Sequence, residues 1–328
     1  MLINKNKGKG LEISQQTNMN NYVYPRFSKH DIYCLFRLGG AGLGNLLLVY
    51  SRALIYSEKY NIPMIWPTWY SLKLGPYIRH EMDKRKYNDL FVNNSGCVDG
   101  LAKIKLMLTM DKISENDIDD VDNLENKIII CERTRCKKGI WFEPIMEYSD
   151  LIRQNLIKNL RDENRSVLSY DFSDSITVHI RLGDYARVQN TKLLEDGNEA
   201  VAIPVEWYYE VIKQIRQIVG RDIKVYIFSD GTDDELSEIL SLNNVERITF
   251  GNAISDIFGL SKANLLIASG GSFSMWGRFL GRMDVITYKG QLKQRLKLDN
   301  EDFMELEVKD SSELAQVKDY LQRKFSKV

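Results

Sequence analysis

The alternation of apolar and polar positions is cleanest in the second half of the chain. In "SITVHIRLGDYARV", residues 175–188, Ile176, Val178 and Ile180 alternate with smaller or polar neighbours and predict a buried strand over 175–181. The pattern then changes to helical spacing in "PVEWYYEVIKQIRQIV", which predicts a helix over 204–219 with Pro204 in its first turn. The same exchange of periods predicts strands at 223–229, 246–250, 264–268 and 284–288 and helices at 232–241, 254–262 and 273–281. Strands that alternate with helices imply a parallel sheet covered on both faces. The closing stretch "SSELAQVKDYLQRKF" reads as a capped amphipathic helix.

The first half is less regular. "DIYCLFRL", 31–38, reads as a strand, followed by the glycine turn "GGAGLGN" and a helix in which Leu46, Leu47, Tyr50, Ala53 and Leu54 share a face. "PMIWP", 63–67, reads as the next parallel strand, and "NKIIICERTR" contains another. The acidic "SENDIDDVDNLEN" is a solvated loop or helix face rather than a site. The fold class expected is therefore α/β, with two facing Rossmann-like domains, parallel sheets and a cleft between them. The expected divisions are a disordered polar leader over 1–28, an N-terminal domain over 29–165 and a C-terminal domain over 166–328, with a hinge near 160–172.

Composition narrows the function classes. The 328 residues carry 45 basic and 45 acidic side chains, so no global field draws the protein to nucleic acid or an acidic membrane. Cysteines 34, 97, 131 and 136 contain no CxxC pair, and the only histidines are 30, 80 and 179. That pattern supplies neither a zinc framework nor a disulfide scaffold and suits a reducing compartment. No apolar run approaches the ~20 residues of a membrane span, and the polar start does not resemble a signal peptide. The expected location is cytoplasmic, with peripheral contact at the inner membrane face as its limit.

Four strand ends carry chemistry. In "GGAGLGN" the small residues Gly42 and Gly44, with Asn45, either form an anion site at a helix N-terminus or simply permit a tight turn. The pattern matches neither the dinucleotide fingerprint nor a P-loop. In "VHIRLGDY", His179 and Arg181 lie two apart and share a side of the strand, with Gly183 and Asp184 in the turn beyond. An arginine fork matches a phosphate; the plainer alternative is an Arg–Asp ion pair that closes the strand. "YIFSDG" ends in Ser229 and Asp230, a carboxylate able to read an amidine-like base edge or to cap the next helix. "IASGGSFSMWG" offers Ser272, Phe273 and Ser274 at a helix start, where hydroxyls and free N–H groups make a second phosphate cradle or an ordinary cap. Together these ends describe a nucleotide-sugar site in the cleft.

In their order, GGxGLGN, HIRxGDY, "VEWYYEVI", FSD and "DIFGLSKANLLIASGGSFSMWG" resemble the α-1,2-fucosyltransferases of glycosyltransferase family 11, and the likeness spans about Gly39 to Gly277. The resemblance implies a GT-B fold, GDP-fucose as donor, inversion at the anomeric carbon, no cofactor and no metal. It implies that Arg181 binds the β-phosphate, that His179 contacts the nucleotide, and that Asp230 reads guanine. Ser272 and Ser274 would hold phosphate, with Gly42, Gly44 and Asn45 facing donor or acceptor. Leu182 stands where family members often carry a second arginine, and "SGGSFSMWG" replaces a more usual Asn-Ser-Ser-Phe-Ser-Trp-Trp-Gly.

Charge builds on the departing diphosphate during such a transfer, and Arg181 with the helix N-termini would stabilise it. Asp184 is the first candidate for general base, with Glu195, Asp196 and Glu199 behind it. The expected partners are a GDP-sugar donor and a glycan or lipid-linked oligosaccharide acceptor, commonly a galactose of a polysaccharide repeat unit. The alternatives are another nucleotide-sugar donor on the same fold, or a non-catalytic protein that binds nucleotide or glycan.

Overall fold

The computed structural model describes residues 21–32, 35–39, 41–72, 87–118, 121–132, 141–183, 185–187, 191–198 and 200–326. The first core strand is β1 (Tyr22–Arg26), which falls inside the segment expected to be leader. Val23 and Tyr24 have no exposed surface, and the tripeptide they make with Pro25 is buried although its flanks are rich in Asn and Lys. Five residues are too few to register against that polar background, which is why composition alone extended the leader to 28.

The segment 31–38 is also corrected. It forms two short strands, β2 (Asp31–Ile32) and β3 (Phe36–Leu38), paired antiparallel with Asp31 opposite Arg37. The glycine turn then leads into helix α1 (Leu43–Tyr60), which buries the predicted face of Leu46, Leu47, Tyr50, Ala53 and Leu54. Strand β4 (Ser71–Leu72) adds to β3 in a small separate sheet. Helix α2 (Gly100–Thr109), strands β5 (Asp111–Ser114) and β6 (Lys127–Glu132) and helix α3 (Ser149–Asn159) follow. The main N-terminal sheet runs β1-β6-β5, all parallel, and continues past β1 through parallel bridges Val23 to Met64 and Ile65 to Val98.

The C-terminal half follows the predicted alternation closely. Its elements are β7 (Ser175–Ile180), α4 (Val205–Val219), β8 (Lys224–Ser229), β9 (Val245–Arg247), α5 (Ala253–Leu260), β10 (Leu265–Ala268), α6 (Ser272–Gly281), β11 (Asp284–Tyr288), β12 (Glu305–Val308) and α7 (Lys318–Lys324). The helix expected over 232–241 shrinks to Ser237–Leu240, and β12 was not expected because its "ELEV" reads as polar. All pairs in the sheet β12-β11-β10-β7-β8-β9 are parallel. The chain starts at β7, runs outward to β9, then returns to place β10 on the other side of β7. That reversal opens a crevice at the carboxyl ends of β7 and β10, where open α/β sheets bind ligands.

The faces of β7 serve different cores. Ile176, Val178 and Ile180 pack with Val211, Ile212 and Ile215 of α4 in one cluster. On the other face lies a larger cluster that spans both halves of the chain, with Leu46 of α1, Phe142, Trp276 and Phe279 among its members. Trp276 contacts the Phe142 and Phe279 rings at centroid distances of 5.1 and 5.4 Å. Burial of one Phe side chain contributes about 1.5–3 kcal/mol, so this shared core is enough to hold the halves face to face. The connecting segment is also pinned: Lys262 donates to the carbonyls of Val167 at 2.9 Å and Leu168 at 2.8 Å, and Ser255 Oγ to that of Asn164 at 3.0 Å.

Candidate active site

Strand β7 carries His179 and, one residue past its end, Arg181 to the crevice. His179 is 7% exposed, and its Nδ1 lies 2.6 Å from Ser274 Oγ and 2.7 Å from Ser269 Oγ. Its ring stacks on Phe273 at a centroid distance of 5.0 Å. Burial, reinforced by the Arg181 charge and opposed by Asp230, pulls the imidazole down to about 4, so it is neutral at physiological pH.

Arg181 forms the core of the site. Its Nη1 lies 2.5 Å from Asp230 Oδ2, and its guanidinium sits over the Tyr185 ring at 5.6 Å. Asp230 Oδ1 accepts the backbone N–H of Leu182 at 2.7 Å, which ties the end of β8 to the turn after β7. Gly183 is required here: a methyl group at that position would run into the Asp230 carboxylate. An Arg–Asp ion pair therefore exists at this strand end, and Asp230 of the neighbouring strand is a partner in it. Leu182 is 3% exposed and belongs to the α4-side core, while Arg181 faces the crevice. Alternation along the strand sends these neighbours to opposite sides, so position 182 contributes its N–H rather than its side chain.

Two helix N-termini complete the site. Gly271 precedes α6, which has no side-chain cap, and Gly42 precedes α1, whose first N–H, that of Leu43, donates to the Tyr87 hydroxyl at 3.0 Å. The positive end of the α6 macrodipole is thus available to an anion. The helices meet across the two halves, where Trp276 Nε1 donates to Gly44 O at 2.7 Å. A methyl group on Gly44 would stand 2.7 Å from Ser272 Oγ, so Gly44 serves close packing. Tyr185 reaches the same place, its hydroxyl 3.1 Å from where a Cβ on Gly271 would be.

The structure thus gathers His179, Arg181, Asp230, Ser272, Phe273, Gly44 and Gly42 around one crevice. Ser274 lies beneath it: the residue is 1% exposed and its hydroxyl is engaged by His179 and Ser269. Ser229 accepts the Gly231 N–H at 3.0 Å and shapes the turn that presents Asp230. Asn45 is half-buried in the first turn of α1. Asp184 and Glu199 lie outside the described residues. Glu195 pairs with Lys309 at 2.7 Å, and this contact holds its carboxyl below the usual range and weakens it as a base. Sequence reasoning missed Tyr185 and Ser269. Both stood within the quoted motifs, but only the fold shows which atoms they meet.

A parallel Rossmann sheet with an arginine at its switch point, beside the uncapped N-terminus of α6, is an arrangement chemically suited to an anion. The family model for glycosyl transferase family 11 matches residues 101–306, more than half of the chain, and the chain belongs to that family. No curated protein sequence matches it. Among solved structures, fucosyltransferase NodZ from Bradyrhizobium is similar at 14% identity and a TM-score of 0.51, over 83% of this chain and 96% of that one. FUT1 of Arabidopsis thaliana in complex with GDP is similar at 13% identity and a TM-score of 0.45, over 85% and 73%. The NodZ likeness is one of fold and agrees with the GT-B arrangement of two facing parallel sheets.

Proposed function

We propose that the protein transfers fucose from GDP-fucose, with inversion and without a metal, to a sugar hydroxyl, forming an α-1,2 link to a galactose of a glycan or polysaccharide repeat unit. Membership of family 11 sets the reaction class, and one observation carries the site: Arg181 is presented at the β7/β10 crevice by Asp230, beside the uncapped N-terminus of α6. As the bond from fucose C1 to the diphosphate oxygen breaks, negative charge grows on the leaving group. In this reading Arg181 moves onto that oxygen and the α6 amides meet the remaining phosphate charge. Asp230 is then free to accept from the base edge of guanine, and His179 lies within the nucleotide's reach. The acceptor occupies the α1 side of the cleft, near Gly42 and Asn45, and Asp184 takes its proton.

Among the described residues no helix is long and apolar enough to cross a membrane. The reading places the enzyme in the cytoplasm, where a lipid-linked acceptor would be met at the inner membrane face. Calorimetric titration with GDP, GDP-fucose, GDP-mannose and UDP-galactose tests the donor. GDP and GDP-fucose should bind at micromolar levels, and Arg181→Ala should lose most of that affinity. Binding of no guanine nucleotide, or equal binding by the variant, overturns the proposal and leaves Arg181 and Asp230 as a structural pair. Transfer assays with galactose-terminated acceptors then separate an enzyme from a protein that only binds.

A further inference from the structure

His179, Ser269 and Ser274 form a closed triangle behind the crevice. The imidazole Nδ1 is 2.6 Å from Ser274 Oγ and 2.7 Å from Ser269 Oγ, and the two hydroxyls are 3.0 Å apart. The three groups come from β7, the end of β10 and the first turn of α6, the elements that frame the switch point. Ser269 is 5% exposed and Ser274 1%, so their hydrogens must find acceptors within the triangle.

Counting those hydrogens distinguishes the two tautomers. With Nδ1 bare, one hydroxyl donates to Nδ1 and the other donates to its fellow oxygen, and both hydrogens are placed. With Nδ1 protonated, three hydrogens compete for two oxygens, and one hydroxyl is left inside the protein with an unused hydrogen. Leaving a buried donor unmade costs its full desolvation. The bare-Nδ1 form is favoured, and the ring proton then sits on Nε2. Among the described residues no group bonds Nε2, while the Phe273 stack fixes the plane of the ring.

We propose that Ser269 and Ser274 are positioning residues that lock His179 in the Nε2–H tautomer, making Nε2 a fixed hydrogen-bond donor to an oxygen of the bound nucleotide. The nucleotide part rests on the function proposed above; the tautomer does not. The arrangement gives Ser274 a role other than phosphate ligand. It also couples the HIRxGDY and SFSxWG segments, since a shift of α6 would release the ring. The charged groups that face the imidazole are Arg181, which disfavours its protonation, and Asp230, which favours it. Burial and Arg181 together outweigh Asp230 and keep the ring neutral, as a single tautomer requires.

The test is nitrogen-15 NMR on protein labelled only at histidine. The chain has three, so His30→Gln and His80→Gln variants assign the His179 signals. In the unliganded wild type, Nδ1 should resonate as a bare nitrogen and Nε2 as a protonated one. In the folded double variant Ser269→Ala/Ser274→Ala, both nitrogens should move toward averaged positions. The same variant should raise KM for GDP-fucose roughly three- to tenfold, the scale of one hydrogen bond, with little change in kcat. Ser274→Thr, which keeps the hydroxyl, should retain both the tautomer and the wild-type KM. A protonated Nδ1 in the wild type overturns the inference, as does a double variant that keeps the wild-type tautomer. An unchanged KM in a variant whose tautomer has become averaged overturns the nucleotide-donor role. If the wild type shows the expected tautomer but binds no guanine nucleotide, the functional proposal fails while the locked ring stands.

Discussion

The Trp276 indole N–H donates to the Gly44 carbonyl at 2.7 Å, and this bond joins the two helices whose N-termini frame the crevice. A Cβ on Gly44 would stand 3.2 Å from Trp276 Cδ1 as well as 2.7 Å from Ser272 Oγ. Gly44→Ala should therefore overpack the contact and cost about 1–3 kcal/mol, with part of the loss appearing as weaker binding of GDP. Trp276→Phe should cost about 0.5–1.5 kcal/mol for the lost hydrogen bond, since the Gly44 carbonyl keeps its place in the α1 ladder. Urea unfolding of both variants checks the sizes, and stability equal to wild type would dissociate this contact from the joining of the halves.

Arg181 and Asp230 should behave as a unit. Arg181→Ala is expected to reduce turnover on the order of 100- to 1,000-fold, the range for removing a single preorganised electrostatic donor. Arg181→Lys should recover little, because an ammonium lacks the planar fork. Asp230→Asn retains an acceptor for the Leu182 N–H but not the charge that aims the guanidinium. It should impair donor binding more than folding, as calorimetry and thermal unfolding measured side by side would reveal.

The buried imidazole gives stability a pH dependence of known sign. The folded pKa of His179 lies near 4, below the ordinary 6.5, so the unfolded chain takes up a proton that the folded protein refuses. Its contribution is complete above pH 6.5, falls as the pH drops from 6.5 toward 4, and is lost below that. Urea unfolding at several pH values in this window should give a steeper acid loss for wild type than for His179→Gln. Parallel curves would mean that the ring titrates normally.

Arg278 and Glu305 tie α6 to β12, each side chain 3% exposed, with Nη1 and Oε1 3.0 Å apart. Desolvation lowers the arginine to about 10, still well above neutrality, so the guanidinium stays charged. Its Nη2 also donates to Leu292 O at 2.8 Å, which secures the loop before β12. Glu305→Ala should leave a buried cation unpaired and cost about 3–5 kcal/mol. A melting temperature within a degree or two of wild type would contradict that.

The sequence by itself determined the alternating C-terminal elements, because the apolar periods of 175–229 and 264–288 agree with their turn signals at every step. It also placed His179, Arg181 and Asp230 at strand ends, where such residues are costly beside buried strands and draw attention as candidates. Only the tertiary structure decided which partner each one has. Asp230 is 49 residues from Arg181, and the strand order that brings β8 beside β7 and β10 onto its other side is a property of sheet pairing rather than of local sequence. The same holds for Ser274, which spacing alone placed at a helix start and the switch-point packing turned inward onto His179. In the N-terminal half, β1 and the 31–38 pair escaped notice because strands of two to five residues are held by their neighbours rather than by their own periodicity.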